Sequence, residues 1–278
     1  MSHILIAGLG DLGRGLAENL LAAGHRVSGI RRGSDAPSGV DLYSQDLLDG
    51  ARLLPPDRVD LLVIIMTPSE YSEEGYLKAY VRAPLNLLDA LAEQQPLPPI
   101  LFVSSSAVFG DLEGDVDETT PPAPTRYNGK VVLAAEQEIS TRGLTTVVRF
   151  SGIYGPGRSA LDKVRDGSAH RIDLPGQVFS RIHVTDICRA VEASFDAPPG
   201  LYNIGDDRPA SHNAVTEHAS RLLGIEPPPL QTMDEAGLSP MARGFYAENR
   251  RVANGKAKRV LGGKPLYPDY KAGLKSLL

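Results

Sequence analysis

The chain has 278 residues, of which 42% are hydrophobic and 23% charged, and its formal net charge is -5. That length suits one large domain, or a large domain with a small one attached. The charge balance argues against nucleic acid or an anionic membrane surface as the main partner. Cys188 is the single cysteine, so an internal disulfide is excluded, and no apolar run reaches the ~18 residues of a membrane span. With a buried-strand pattern from its first residues and no signal-peptide features, we expect a cytoplasmic protein.

Short apolar segments alternate with longer segments of helical period over the first 150 residues. The predicted strands are His3–Ala7, Arg26–Ile30, Asp60–Met66, Ile100–Ser104 and Thr145–Phe150. The predicted helices are Leu12–Ala23, one over residues 76–94 and Val131–Ile139. Pro84 is expected either to kink the second of these helices or to mark a later start for it. The repeated β-α-β order predicts an α/β fold with a Rossmann-type, doubly wound parallel sheet.

Glycine and proline become frequent after Phe150. Two helices, Val184–Phe195 and Asn213–Leu223, are predicted there, with a short strand, Leu201–Ile204, between them. We expect residues 1–157 to form the Rossmann domain, to which residues 183–204 return. Residues 158–182 and 205–278 would then form a smaller C-terminal α+β lobe that binds the substrate.

A glycine-rich turn follows the first predicted strand and opens the first predicted helix. Gly8, Gly10 and Gly13 fit the pattern G-x-G-x-x-G. Such glycines let the backbone turn tightly and approach a pyrophosphate, whose charge meets the helix N-terminus. The turn therefore predicts dinucleotide binding by Gly8, Leu9, Gly10, Asp11, Leu12 and Gly13, against the alternative of a tight turn with no ligand.

The end of the second strand bears on the choice between NAD and NADP. An acidic residue about 20 residues past the glycines would bind the ribose hydroxyls of NAD. This stretch instead contains Arg31 and Arg32, and no acid precedes Asp35. Two arginines favour a 2′-phosphate through charge-assisted hydrogen bonds, so NADP(H) is the predicted cofactor, with NAD as the other possibility. The alternative is that both are solvated surface arginines.

Several further segments resemble the NAD-dependent epimerase/dehydratase family, the extended short-chain dehydrogenase/reductases, and especially their atypical branch. Residues 104–111 resemble its SSxxVYGD segment, and residues 149–157 its RxxxxYGPG segment. Residues 183–186 are similar to its hVxD helix start, and residues 202–205 match YNxG. The resemblance implies an oxidoreductase fold, and it adds these residues to the cofactor contacts: Asp46, Leu47, Met66, Thr67, Ser104, Ser151, Gly152 and Ile153.

The family's chemistry uses Tyr-x-x-x-Lys on a helix and a Ser or Thr at the preceding strand end. The resemblance implies Ser105 as the hydroxyl, although a strand-end turn serine is the alternative. The tyrosine and lysine are Tyr127 and Lys130, three residues apart instead of four. The family's own two positions fall on Asn128 and Val132. Because residues three apart also share a helix face, the displaced pair either works or has decayed.

Substrate contacts are assigned to Ser106, Arg158, Arg181 and His183, each with a structural role as the alternative. The histidines show no paired metal spacing, so no metal site is predicted. Because about 25 residues separate Arg158 from His183 and the chain ends early, a small-molecule substrate is favoured over a nucleotide sugar. The resemblance also implies a possible homodimer, since dimers are common in the family.

Three functions are compatible with these residues. The first is an NADP(H)-dependent oxidoreductase that acts on a carbonyl or alcohol of a small substrate. The second is a catalytically degenerate dinucleotide-binding protein with a regulatory or scaffold role, which the displaced Tyr127/Lys130 pair favours. The third is an epimerase or dehydratase that retains NAD, which Arg31 and Arg32 disfavour.

Overall fold

The computed structural model of the chain describes residues 1–238, 243, 244, 246 and 248–278, with the backbone alone at residues 50–52. Its centre is a sheet of seven strands: β1 His3–Ala7, β2 Arg26–Arg31, β3 Asp41–Ser44, β4 Leu61–Ile64, β5 Ile100–Ser105, β7 Thr145–Phe150 and β11 Leu201–Ile204. Their order across the sheet is β3-β2-β1-β4-β5-β7-β11, with all neighbouring strands parallel. The predicted Rossmann-type α/β fold is confirmed.

Helices cover both faces of this sheet because its strands are apolar on both sides. On one face lie α1, Asp11–Ala22, and α6, Val184–Ala193; on the other lie α3, Ala83–Ala92, and α4, Tyr127–Arg142. Leu16 and Leu20 of α1 and Leu87, Leu88 and Leu91 of α3 are almost fully buried. The strand order reverses direction between β1 and β4, where the connections from these two strands pass to opposite faces and leave a crevice.

The helix around Pro84 begins earlier than the sequence predicted. Its first turn, α2, spans Glu73–Tyr76 and is capped by the Ser72 side chain, which accepts a hydrogen bond from the Gly75 N–H at 3.1 Å. A π-helical segment, Leu77–Arg82, then leads directly into α3. Proline has no N–H to donate, so a wider turn just before it accommodates the missing bond without ending the helix.

Three pairs of short parallel strands surround the carboxyl end of the sheet. They are β8 Gly152–Tyr154 with β10 Arg181–His183, β9 Arg171–Ile172 with β12 Leu230–Gln231, and β6 Gly114–Val116 with β13 Arg250–Val252. Helices α5, Ala160–Arg165, and α7, His212–Leu223, pack with the C-terminal helix Tyr270–Lys275 around a separate apolar cluster. Within the described residues, no helix is long and apolar enough to cross a membrane, and no group of three or more potential ligands is placed to hold a metal.

Candidate functional site

The glycine turn after β1 is held in one conformation by close backbone packing. Gly8 has φ +103°, and a Cβ there would lie 2.2 Å from the Ile65 carbonyl oxygen. A Cβ on Gly13 would lie 2.3 Å from the Gly8 carbonyl oxygen, so α1 lies directly against the turn. The N–H of Gly8 also donates to the Ile30 carbonyl oxygen at 3.1 Å. Glycine is therefore required at both positions by the protein's own backbone.

Gly10 differs, because its missing side chain faces open space. It precedes α1 in an extended conformation, with φ -83°, and no atom lies within 4 Å of a Cβ built there. The N–H groups of Asp11, Leu12 and Gly13 form the first turn of α1, where no intrahelical acceptor exists. The Leu9 side chain is buried in the core, so its predicted contact to a cofactor would involve the backbone. The turn thus has an open approach to a helix N-terminus, which suits a pyrophosphate.

A cavity of about 340 Å³ lies in the crevice beside this turn. It contains many of the predicted cofactor contacts: Gly8, Leu9, Gly10, Arg31, Arg32, Asp46, Leu47, Met66 and Thr67. These residues follow β1, β2, β3 and β4 in the chain and come together because the carboxyl ends of parallel strands share one edge. Arg31 is half-buried, with its guanidinium beside Gly33, and Arg32 is exposed. The residues that line the cavity fit the adenosine half of a dinucleotide.

Ser104, at the end of β5, belongs to a buried ion-pair network. Its hydroxyl donates to the Glu136 carboxylate, and Arg149 binds the same carboxylate through Nε at 2.9 Å and Nη2 at 2.6 Å. All three residues are nearly inaccessible to solvent. The Ser104 hydroxyl therefore has a structural partner, and this network fastens α4 to β5 and β7.

Ser105 caps a single 3-10 turn, Ser106–Phe109. Its Oγ accepts a hydrogen bond from the Ala107 N–H at 3.1 Å, which is the turn-serine role that the sequence left open. A hydroxyl that accepts in this way still has its own proton to donate. Ser105 is half-buried, whereas Ser106 beside it is buried. Ser105 can therefore both stabilise the turn and orient a substrate oxygen.

Tyr127 and Lys130 lie in the first turn of α4. The Tyr127 hydroxyl donates to the Tyr71 carbonyl oxygen at 2.8 Å, and its ring lies edge-on to Tyr76 with 5.5 Å between centroids. Lys130, three residues further along the helix, is exposed. Within the part of the chain that the structure describes, no hydrogen bond joins Ser105, Tyr127 and Lys130 to one another.

The two positions that the family gives to its tyrosine and lysine are occupied differently here. Asn128 is half-buried, and Val132 is 1% exposed in an apolar cluster with Val108 and Phe109. A lysine at position 132 would place its ammonium among apolar side chains, which is costly for an unpaired charge. The usual Tyr-x-x-x-Lys arrangement is therefore absent from α4, and Tyr127 is the one tyrosine of this helix.

Ser151, Gly152 and Ile153 follow β7 at the same edge of the sheet. Ser151 is buried, and among the described residues its Oγ has no hydrogen-bond partner. Gly152 is exposed, and a Cβ there would lie 3.0 Å from the Phe179 ring. Phe179 therefore lies beside a segment predicted to contact the cofactor.

Of the predicted substrate contacts, Arg158 is exposed, and Arg181 and His183 are buried. Arg181 donates to the carbonyl oxygens of Phe179 and Ala210 at 3.1 and 2.7 Å, and its guanidinium lies 3.6 Å from the centre of the Phe179 ring. The His183 Nδ1 accepts from the Thr185 N–H and caps α6. Arg181 and His183 thus have structural partners, and burial lowers the pKa of His183.

An aromatic group that the sequence did not predict adjoins Arg181. His212 lies against Phe179 on one side and Tyr246 on the other, at centroid distances of 4.1 and 4.6 Å. Burial raises the pKa of Asp206 to about 7, lowers the pKa of Arg181 to about 10 and lowers the pKa of His212 to about 3. These residues come from separate segments, so no spacing in the sequence indicates that they meet.

A larger cavity, of about 430 Å³, lies between α6 and the helix Gly255–Val260. It contains none of the residues predicted to bind cofactor or substrate. The smaller cavity is the better candidate for a functional site, because it includes the glycine turn at the point where the strand order reverses.

Comparisons with known proteins agree with this geometry. Residues 4–205 match the model of the NAD dependent epimerase/dehydratase family. Protein YeeZ of Escherichia coli K12 is 31% identical over 288 residues, which cover 97% of each chain. The 3-diazoavenalumate denitrifying reductase of a Streptomyces species is 27% identical over 306 residues, covering 98% of this chain and 99% of the reductase. The structure of a functionally unknown conserved protein from Silicibacter pomeroyi is 36% identical and superimposes with a TM-score of 0.85, covering 100% of this chain and 98% of that one. The chain belongs to the NAD dependent epimerase/dehydratase family.

Proposed function

We propose that the protein is an NADP(H)-dependent oxidoreductase that reduces or oxidises a carbonyl or alcohol on a small substrate. The observation that carries the proposal is the cavity in which the glycine turn meets Arg31 and Arg32. An arginine pair at the end of β2 favours a 2′-phosphate, and the open space at Gly10 admits a pyrophosphate. The likeness to a protein named a reductase, at 27% identity, is in accord with redox chemistry.

When bound, the cofactor would supply or accept the hydride at its nicotinamide ring. The protein would supply two hydroxyl groups at the reacting oxygen. Ser105 would donate its free proton to orient that oxygen, while its Oγ stays bonded to the Ala107 N–H. Tyr127 would exchange the substrate proton after its hydroxyl leaves the Tyr71 carbonyl oxygen, and exposed Lys130 would assist from the same helix.

A second candidate is a dinucleotide-binding protein without catalysis. It is favoured by buried Val132 at the family's lysine position and by the bond that occupies the Tyr127 hydroxyl. An epimerase or dehydratase that retains NAD is disfavoured by Arg31 and Arg32, since an acid at that point would hold the ribose of NAD.

Nucleotide titration tests the cofactor, and a panel of carbonyl substrates, followed by nicotinamide absorbance, tests the reaction. Replacing Arg31 and Arg32 together by alanine should weaken NADPH far more than NADH; equal losses would refute the NADP assignment. Tyr127→Phe should lower kcat by about 100-fold or more, the range for a lost general acid.

Tyr71→Phe is the matched control for Tyr127→Phe. It removes a neighbouring phenolic hydroxyl but keeps the backbone carbonyl that Tyr127 contacts, so kcat should change little. Tight NADPH binding without turnover of any carbonyl would establish the second candidate instead. Turnover that survives Tyr127→Phe would show that the proton comes from another group.

A further inference from the structure

Asp35, in the loop after β2, is held by two arginines. Arg14 on α1 donates to both its carboxylate and its carbonyl oxygen, the latter at 3.1 Å. Arg31 donates to the same carbonyl oxygen through Nη1 at 2.8 Å. The Arg14 side chain is 29% exposed and that of Asp35 is 79% exposed, so the pair lies at the protein surface.

This ion pair adjoins the proposed 2′-phosphate site without being part of it. Arg31, Arg32 and Gly33 line the cavity, whereas neither Arg14 nor Asp35 does. Yet Asp35 is the first acidic residue after β2, in the stretch where a carboxylate binds the ribose hydroxyls of NAD. A free carboxylate there would repel a 2′-phosphate and compete with it for Arg31 and Arg32.

We propose that Arg14 is a positioning residue for cofactor choice, because it holds Asp35 outside the cavity and leaves Arg31 and Arg32 to a 2′-phosphate. This inference rests on the proposed NADP(H) function. Without Arg14, Asp35 would turn toward the ribose, where it would favour a 2′-hydroxyl over a 2′-phosphate. The role of Arg14 therefore depends on Asp35 and needs no direct contact between Arg14 and the cofactor.

The test is a double-mutant cycle on the full chain with Arg14→Gln, Asp35→Asn and both together. Kd values for NADPH and NADH are measured by titration, and adenosine 2′,5′-bisphosphate serves as a probe of the phosphate site. Arg14→Gln should raise the Kd of NADPH about tenfold, so the ratio of the NADPH and NADH Kd values should rise at least about tenfold. It should leave the Kd of NADH equal or lower. In the Asp35→Asn background, adding Arg14→Gln should change the Kd of NADPH by less than about twofold.

Arg26→Gln is the matched control. Arg26 forms a similar exposed ion pair with Asp41, at 2.9 Å, at the opposite end of β2, and its loss should change neither Kd. Glutamine and arginine have similar helix propensities, and equal thermal midpoints would show that α1 is intact in the Arg14→Gln protein.

The outcomes separate this inference from the proposed function. If Arg14→Gln weakens NADPH equally in the wild-type and Asp35→Asn backgrounds, Arg14 contacts the phosphate directly and the positioning role is wrong, while NADP(H) binding stands. If Arg14→Gln has no effect in a protein that prefers NADPH, the positioning role is again wrong. If the wild-type protein prefers NADH or binds neither nucleotide, the proposed function and this inference both fail.

Discussion

At the scale of single residues, Gly8 and Gly10 lack a side chain for different reasons. Gly8 has no room for a Cβ beside the Ile65 carbonyl and has a positive φ, whereas Gly10 has free space and a φ that any residue adopts. The G-x-G-x-x-G pattern assigns both to the turn without distinguishing them. Gly8 serves the fold, and the open space at Gly10 is available to a ligand.

Alanine at these two positions should therefore separate stability from binding. Gly8→Ala is expected to destabilise the protein by more than about 2 kcal/mol, since strain and a backbone clash combine. Gly10→Ala should change the free energy of unfolding by less than about 1 kcal/mol but weaken NADPH binding about tenfold. Urea denaturation and nucleotide titration measure the two effects. Unchanged affinity in the Gly10→Ala protein would mean that the pyrophosphate does not approach this turn.

The site could be predicted from sequence only as far as its local patterns extend. The residues that line the adenosine cavity follow neighbouring strands, so strand order alone brings them together. The bond from Tyr127 to Tyr71 joins residues 56 positions apart, and no periodicity indicates it. Likewise, Arg181 offers a charge in the sequence, but its stacking on Phe179 arises only in the folded chain.

At the scale of elements, a buried carboxylate on α4 binds side chains of the central sheet. Glu136 lies on its buried face and binds Arg149 of β7 and Ser104 of β5. The helix also has a surface ion pair, between Arg142 at its last turn and Asp89 of α3. Removing one partner from a buried ion pair leaves the other charge buried and uncompensated. When one partner of an exposed pair is removed, water solvates the charge that remains.

Glu136→Ala should thus lower the free energy of unfolding by about 3 to 5 kcal/mol, because the buried Arg149 guanidinium loses its counter-charge. Asp89→Ala, which breaks the exposed pair between α3 and α4, should cost no more than about 1 kcal/mol. Chemical denaturation of both proteins gives the comparison. Similar losses in the two variants would contradict the assignment of α4 anchoring to Glu136.

The element boundaries show where sequence patterns suffice. Six of the seven strands of the central sheet were predicted to within a few residues, because each is a short apolar run. The exception is β3, whose four residues include only two apolar ones, and it was not among the predicted strands. The π-helical segment before Pro84 was not predicted, since the pattern specifies an apolar stripe and not which carbonyl each N–H meets. The pairing of β6 with β13 joins three-residue strands more than 130 positions apart, too short to show any alternation.

At the scale of the whole molecule, two buried groups near Arg181, Asp206 and His212, make the free energy of unfolding depend on pH in opposite directions. The pKa of Asp206 is about 7 in the folded protein and near 3.8 unfolded, so its contribution falls as pH rises from about 4 to 7. The pKa of His212 is about 3 folded and near 6.5 unfolded, so its contribution is lost as pH falls from 6.5 toward 3. Between pH 4 and 6.5 the two slopes oppose each other.

Single substitutions should reveal each slope. In Asp206→Asn, the free energy of unfolding should rise more steeply from pH 4.5 to 6.5 than in the wild type, and this protein should be the more stable one at pH 8. In His212→Phe, which keeps an aromatic ring against Phe179, the free energy of unfolding should fall as pH rises from 4.5 to 6.5. Urea denaturation at several pH values checks both. Profiles parallel to the wild type would show that these groups do not titrate with folding.

The order of the strands also bears on how the chain is made. The strands around the cavity, β1 to β4, and their neighbour β5 are complete by Ser105, but the edge strand β11 begins only at Leu201. At 5–20 residues per second, the ribosome needs roughly 5 to 20 seconds to synthesise the chain between them. Throughout that interval the nascent chain has every strand that surrounds the glycine turn, while the sheet edge is unfinished, first beyond β5 and, once Phe150 is made, beyond β7.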